Sequence, residues 1–266
     1  MIESLLEGMH ALPPEMVKAA LLVFAFGSLL LMLRIFGAMG VTAYICIAIV
    51  AANLHVLKAV QFSVFPDPVA LGTVLFATTF LGTDILTEYY GPDHARKAVL
   101  LGFSGLILMT AFMIFGIGIR PLSEAQASGD WQWALDNHRH LAAVFTPVPA
   151  ILVAGLSAYM GSQILDIWIY QRIRKISHNR HRWLRNNAST WISALIDNTI
   201  FSLLAWVILA PSPLPLPVVW KTYILGTWFL RVGVALLDTP ILYLAAFALP
   251  KEDRIRYRQS LSAYES

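Results

Sequence analysis

Long apolar runs, each about the length of a membrane-spanning helix, constrain this chain more than any motif it carries. A span needs about 20 mostly apolar residues. Seven stretches qualify, at about 17–33, 37–60, 69–88, 98–119, 150–170, 190–209 and 225–249. Composition agrees: 13% of the residues are charged, against about 25% in a soluble domain. The expected fold is an all-α polytopic membrane protein, a bundle of six to seven transmembrane helices.

Basic residues set the expected orientation. If the loop after the fifth run is cytoplasmic, it places Arg172, Arg174, Lys175, Arg180, Arg182 and Arg185 inside. Alternation then adds Arg34, Arg96, Lys97, Lys251, Arg254, Arg256 and Arg258, thirteen of the 19 basic residues. Lys58 and Arg231 are left at or within spans. The N-terminus lies outside and the C-terminus inside. This gives an external segment at 1–16, a single transmembrane domain at 17–250 and a cytoplasmic tail at 251–266. The first residues carry Glu3, Glu7 and Glu15 but no basic n-region, so no cleaved signal peptide is expected. The lone Cys46 excludes an intrachain disulfide. The mild net charge of +3, with basic residues flanking spans, gives no reason to expect nucleic acid as a partner.

Prolines predict irregularity. Residues 146–149 form a Pro-broken lead-in, 211–217 a stiff external turn, and Pro240 a mid-span kink. The stretch from Val218 to Leu249 is too long for one straight span, so 218–224 reads as an interfacial lead-in with Trp220 and Tyr223. The loop at 120–141 holds Trp131 and Trp133 and reads as an interfacial amphipathic segment.

Ionisable groups within a span cost several kcal/mol and default to functional candidates. Asp84 and Glu88 are four residues apart and share a helical face. They repel unless one is protonated, or a cation or a solute donor sits between them. Glu88 has a plainer reading, an interfacial cap paired with Arg96 or Lys97. Gln163 and Asp166 share a face, either as site residues or as interhelical hydrogen-bond glue. Asn187, Thr190, Ser193 or Ala194, and Asp197 make one polar stripe that belongs on an interior face. Asp238 stands beside the Pro240 kink. Asn53 and Lys58 come from the second run. Lys58 has a snorkelling reading, and His55 a packing one.

These residues fall into an ordered set of motifs. They are Asn53-x4-Lys58, Gly72-Thr73, Thr83-Asp84-Ile85-Leu86-x-Glu88-x-Tyr90-Gly91-x4-Arg96-Lys97, Gln163-Ile-Leu-Asp166, Arg185-Asn186-Asn187-x-Ser189-Thr190, Asp197-x-Thr199-Ile200-Phe201 and Leu237-Asp238-Thr239-Pro240. Over about residues 34–249 the set resembles the queuosine precursor transporter family, grouped with vitamin uptake transporters. The resemblance implies uptake of a 7-deazaguanine base, such as 7-cyano-7-deazaguanine or its aminomethyl relative, across a bacterial plasma membrane. The chemistry suits such a base. Its ring N–H and exocyclic amine lie side by side, and one carboxylate accepts both. The order of preference for that carboxylate is Asp84, Asp166, Asp197, Asp238. Amides at Asn53, Gln163 or Asn187 pair with carbonyl and ring nitrogens, and Phe76, Phe80 or Tyr159 stack on the bicycle.

No cofactor or metal is implied. The expected partners are the base, the lipid bilayer and, for so small a bundle, a second copy in a homodimer. No Walker-type GxxxxGK[ST] is present, so this polypeptide does not hydrolyse ATP. A proton gradient, intracellular trapping, or a separate energising module docked on 172–185 remain alternative drives. An intramembrane enzyme is disfavoured, because neither HExxH nor GxSxG occurs.

Overall fold

The computed structural model describes residues 2–63, 69–145, 149–210 and 212–265. Most of the expected lead-in at 146–149, and Pro211 of the external turn, lie outside them. The described chain is almost entirely helical, as a chain crossing lipid must be when its backbone has no water to bond. Its helices are α1 (Ile2–His10), α2 (Pro14–His55), α3 (Thr73–Tyr89), α4 (Pro92–Gly118), α5 (Gln132–Phe145), α6 (Pro149–Ile176), α7 (Arg182–Leu203), α8 (Leu216–Val218), α9 (Thr227–Ala248) and α10 (Lys251–Glu265). Two π-helical stretches, Leu204–Ile208 and Val219–Gly226, extend α7 and join α8 to α9. A two-residue ribbon pairs Ala59 with Ala70 and Val60 with Val69, antiparallel.

Among the described residues, four helical stretches are long and apolar enough to cross a membrane: Pro14–His55, Pro92–Gly118, Arg182–Ile208 and Leu216–Ala248. The first is a hairpin. Gly37 breaks it with φ 59° and ψ −138°, a left-handed conformation that a Cβ disfavours. A Cβ on Gly40 would lie 2.1 Å from the Met32 carbonyl oxygen, so the second arm folds back directly onto the first. At the far end the arms meet the ribbon region, where the Ser63 N–H donates to Glu15 at 2.6 Å and Lys18 lies 4.1 Å over the Phe62 ring. The runs at 17–33 and 37–60 are these two arms.

The expected lead-in at 218–224 does not stand apart from the last span. It is helical and continuous with it, and Val219 and Ile224 are buried in the bundle. Likewise α9 runs unbroken through Pro240. Trp131 and Trp133 are exposed beside the amphipathic α5, as an interfacial segment requires.

α6 and α7 pack most extensively on each other, followed by α2 on α3 and α4. One apolar core joins Leu29, Leu33, Ile45 and Ile49 of α2 to Leu81 and Ile85 of α3, Val99 of α4, Ile167 of α6 and Leu242 of α9. Outward faces remain apolar, with Phe24, Met39, Phe112, Phe115 and Phe247 exposed, as suits helices in contact with lipid tails. Between α3, α6, α7 and α9 the interior is polar instead.

Candidate functional site

The spine of the polar interior is α3, buried from Thr73 to Tyr89 except at half-buried Phe76. Its polar side chains lie at successive depths, and α6, α7 and α9 supply the partners at each.

At the end carrying Tyr89, Glu88 is the centre of a knot. Arg185 Nη2 reaches both of its carboxylate oxygens at 2.6 Å, and Arg182 Nε approaches Oε1 at 3.2 Å. The Tyr170 hydroxyl donates to Oε2 at 2.9 Å and the Tyr257 hydroxyl to Oε1 at 2.8 Å. Tyr257 comes from α10, so the C-terminal helix closes this end. Burial, and then the Glu88 charge, push the Tyr257 phenol up, which keeps it a donor. Arg174 adds bonds to the Thr87 and Glu88 carbonyls, a cation at the C-terminus of α3. Beyond the knot opens a cleft of about 410 Å³, lined by Glu88, Tyr90, Gln171, Arg174, Asp253 and Tyr257 among others. Glu88 therefore does not pair with Arg96 or Lys97 as its plainer reading expected. Arg96 pairs instead with Asp93, both of them exposed.

One turn further along α3 the surroundings change. Asp84 is 0% exposed, and no N–H or hydroxyl of the described residues donates to its carboxyl oxygens; its polar contact is a carboxyl–carboxyl one with Asp166. It faces Asp166 and, less closely, Asp238. Asp166 accepts a bond from Ser193 at 2.8 Å on Oδ1, while Oδ2 has no donor. Asp238 accepts from Asn186 Nδ2 at 2.9 Å, and Asn187 Nδ2 donates to Thr239 at 2.7 Å. The amide oxygens of Asn186 and Asn187 are buried without donors. This layer gathers three carboxyls, and no arginine or lysine is hydrogen-bonded to any of them among the described residues.

A third layer is amide and hydroxyl. Gln163 donates to Thr79 at 3.0 Å and accepts from Thr83 at 3.0 Å, which matches the interhelical glue reading. A fourth holds Asp197, which accepts from Ser162 at 2.9 Å and is ion-paired to Arg231. The Arg231 guanidinium lies 5.8 Å from the Phe76 ring centre and 6.0 Å from that of Phe80.

Among the expected site residues, Asp84, Asp166, Asp238 and Asn187 come together, with Thr190 buried on the same face of α7. Asp197 and Gln163 occupy adjoining layers, and Glu88 belongs to the knot. Asn53 donates to the Ile49 carbonyl of its own helix and packs on Gly155. Lys58 is exposed in the turn after α2. Neither hydrogen-bonds to the carboxyls. Two contributors were not foreseen. In sequence Arg231 falls within or at the edge of a span without an assigned role, although an arginine within an apolar run is itself a signal. Tyr257 sits in a charged helix that reads as a solvated tail. Among the described residues, no cluster of three or more His, Cys, Asp or Glu is arranged to hold a metal ion.

Apolar outer faces around a buried ionisable interior mark a membrane protein with a functional polar interior, and comparison with known proteins gives the class as a transporter. The family model described as putative vitamin uptake transporter matches residues 70–245. A probable queuosine precursor transporter of Bacillus subtilis is 36% identical over 87% of this chain and 94% of its own length. The queuosine precursor transporter of Escherichia coli is 25% identical over 59% of this chain and 64% of its own. A probable queuosine precursor transporter of Haemophilus influenzae is 23% identical over 51% of each. No solved structure matches. The chain belongs to the queuosine precursor transporter family of putative vitamin uptake transporters. It is a multi-pass protein of the bacterial plasma membrane, a transporter and not an enzyme.

Proposed function

We propose that the protein imports a 7-deazaguanine precursor of queuosine, and that the layer of Asp84, Asp166 and Asp238 receives the donor edge of the base. The observation that carries this reading is the convergence of three buried carboxyls, with no arginine or lysine bonded to them among the described residues, beside the donorless amide oxygens of Asn186 and Asn187. A buried polar group without a partner costs about 1–3 kcal/mol, more when charged. A ligand bringing a ring N–H and an exocyclic amine supplies the missing donors, as two parallel charge-assisted bonds. The names of the relatives point to the same class of substrate.

In this reading the chain crosses the membrane seven times: by the two arms of α2, by α3, α4 and α6, by α7 with its π extension, and by the helix ending in α9. Basic residues place the knot end in the cytoplasm. Residues 1–16 are then external, 17–250 form the transporter and 251–266 the cytoplasmic tail. Asn187 and Thr190 line the acid layer, whereas Asn53 and Lys58 lie apart from it.

Uptake of labelled 7-cyano-7-deazaguanine by cells unable to make it tests the proposal. Saturable uptake with this chain, lost in Asp84→Asn at matched membrane level, is the expected result. No uptake by the unaltered chain, under conditions where a known importer works, refutes it. Undiminished uptake by Asp84→Asn refutes the assignment of the site.

A further inference from the structure

The acid layer accounts for the donors of the base but not for its acceptors. In 7-cyano-7-deazaguanine the ring carbonyl and the nitrile stand side by side, on the edge opposite the exocyclic amine. That edge needs donors, and the acid layer contributes few. Arg231, ion-paired to Asp197 through one nitrogen, is a buried donor on the interior face with hydrogen-bonding capacity left over.

Arg231 is 7% exposed, on the interior face of α9. It precedes Asp238 by seven residues, two turns and about 10 Å along the helix. Its partner Asp197 follows Ser193, which binds Asp166, by one turn of α7. A donor pole and an acceptor pole thus lie one to two turns apart on the same pair of helices, a separation that a substituted bicyclic base bridges. Only Arg231 Nη1 bonds Asp197. The Nε–H is buried with no acceptor among the described residues. The guanidinium rests against Phe76 and Phe80. Such stacking fixes the plane of an arginine while leaving its edge donors free. Phe76 is half buried, whereas Phe80 is 2% exposed.

We propose that Arg231 is a specificity-determining residue that donates to the carbonyl-and-nitrile edge of the base, so that the carrier favours the neutral 7-cyano base over the 7-aminomethyl base. The aminomethyl group carries a positive charge at neutral pH. Placed on this edge it meets a fixed guanidinium, a like charge in a medium of low dielectric. Asp197 acts as a positioning residue, holding Arg231 through one nitrogen and being held itself by Ser162. This inference rests on the acid layer taking the opposite edge of the same base.

The test is a competition experiment in cells that make neither base. Labelled 7-cyano-7-deazaguanine is taken up while unlabelled cyano or aminomethyl base is titrated in. Arg231→Gln alone leaves Asp197 buried and unpaired, and its folding is at risk. The paired variant Arg231→Gln/Asp197→Asn removes both charges together, and Arg231→Lys keeps the charge without the planar fork. The unaltered chain is expected to prefer the cyano base. In the paired variant that preference falls by about tenfold, the value of one charge-assisted hydrogen bond, with the aminomethyl base weakened less or strengthened. Arg231→Lys lies between.

An unaltered chain that prefers the aminomethyl base overturns the proposal, because the ammonium then faces the acid layer. A paired variant at normal membrane level that loses both bases in proportion, or keeps the original preference, also overturns it and leaves Arg231 a structural ion-pair partner. Uptake of neither base by the unaltered chain is a different failure, since it removes the 7-deazaguanine reading itself.

Discussion

Glu88 and Asp84 stand one turn apart on the same face of α3, both carboxylic acids, both buried, and they meet opposite surroundings. Glu88 is gripped by two arginines and two tyrosine hydroxyls drawn from α6, α7 and α10. Asp84 receives no arginine, amide or hydroxyl donor among the described residues, and its polar contact is with another carboxyl, Asp166. Burial alone therefore does not separate a structural acid from a functional one in a membrane interior. What separates them is whether the protein completes the hydrogen bonding itself. Both oxygens of the Glu88 carboxylate are partnered, and the knot fastens four elements, although Arg185 Nε within it is buried without an acceptor among the described residues. The Asp84 layer is left open to something the protein does not contain.

Substitutions sharpen this contrast. The largest effect on folding is expected from Glu88→Gln, which strands Arg185 and half-buried Arg182. Breaking a buried pair from one side costs about 3–5 kcal/mol, so little folded protein should reach the membrane, as size-exclusion of a fluorescent fusion would report. Recovery of normal amounts would mean the knot is not the fastening described. Asp84→Asn should do the reverse. Folded protein stays within twofold or so of normal, while apparent affinity for the base drops by about tenfold to a hundredfold, the loss of one or two charge-assisted bonds. A variant with normal affinity but poor expression would exchange the roles of the two acids.

A smaller effect is expected at the hairpin. Gly37→Ala places a Cβ at positive φ, 2.8 Å from Asp253 Oδ2. That costs about 1–2 kcal/mol and loosens the docking of α10, which supplies Tyr257. Faster proteolysis of the C-terminal helix, with affinity for the base unchanged, is the expected signature. Smallest of all is Lys58→Ala, at an exposed position far from either cluster. Uptake within about 0.5 kcal/mol of normal is expected, and a large loss would show that the outer turn belongs to the transport path.

How far these features were legible in the chain depends on the range of the interaction. Hydropathy carried the spans, because the solvent imposes itself on every residue in a run. The stripe on α7 was legible too: Asn187, Thr190, Ser193, Ala194 and Asp197 recur at helical spacing, and all five are buried. The partner of Glu88 was not. Arg96 and Lys97 are near in sequence and made local pairing the natural reading, whereas Arg185 lies 97 residues away and arrives only through the packing of α6, α7 and α3. Arg231 was overlooked for a related reason. Within one apolar run it reads as an edge residue, and its meaning appears only when α7 brings Asp197 alongside. The open acid layer lay between these cases. Its members were named from sequence, but that Asp84, Asp166 and Asp238 converge without a cation depended on where the arginines went.

The central claim is that Asp84 belongs to the ligand and Glu88 to the protein. The most direct measurement is ligand-induced thermal stabilisation of purified protein in detergent, with 7-cyano-7-deazaguanine added to the unaltered chain and to Asp84→Asn. A dose-dependent rise in melting temperature is expected for the unaltered chain. Asp84→Asn is expected to give a cooperative melt that the same ligand concentrations leave in place. Equal stabilisation of both proteins would contradict it, and would mean that the unsatisfied carboxyl on α3 is not where the base binds.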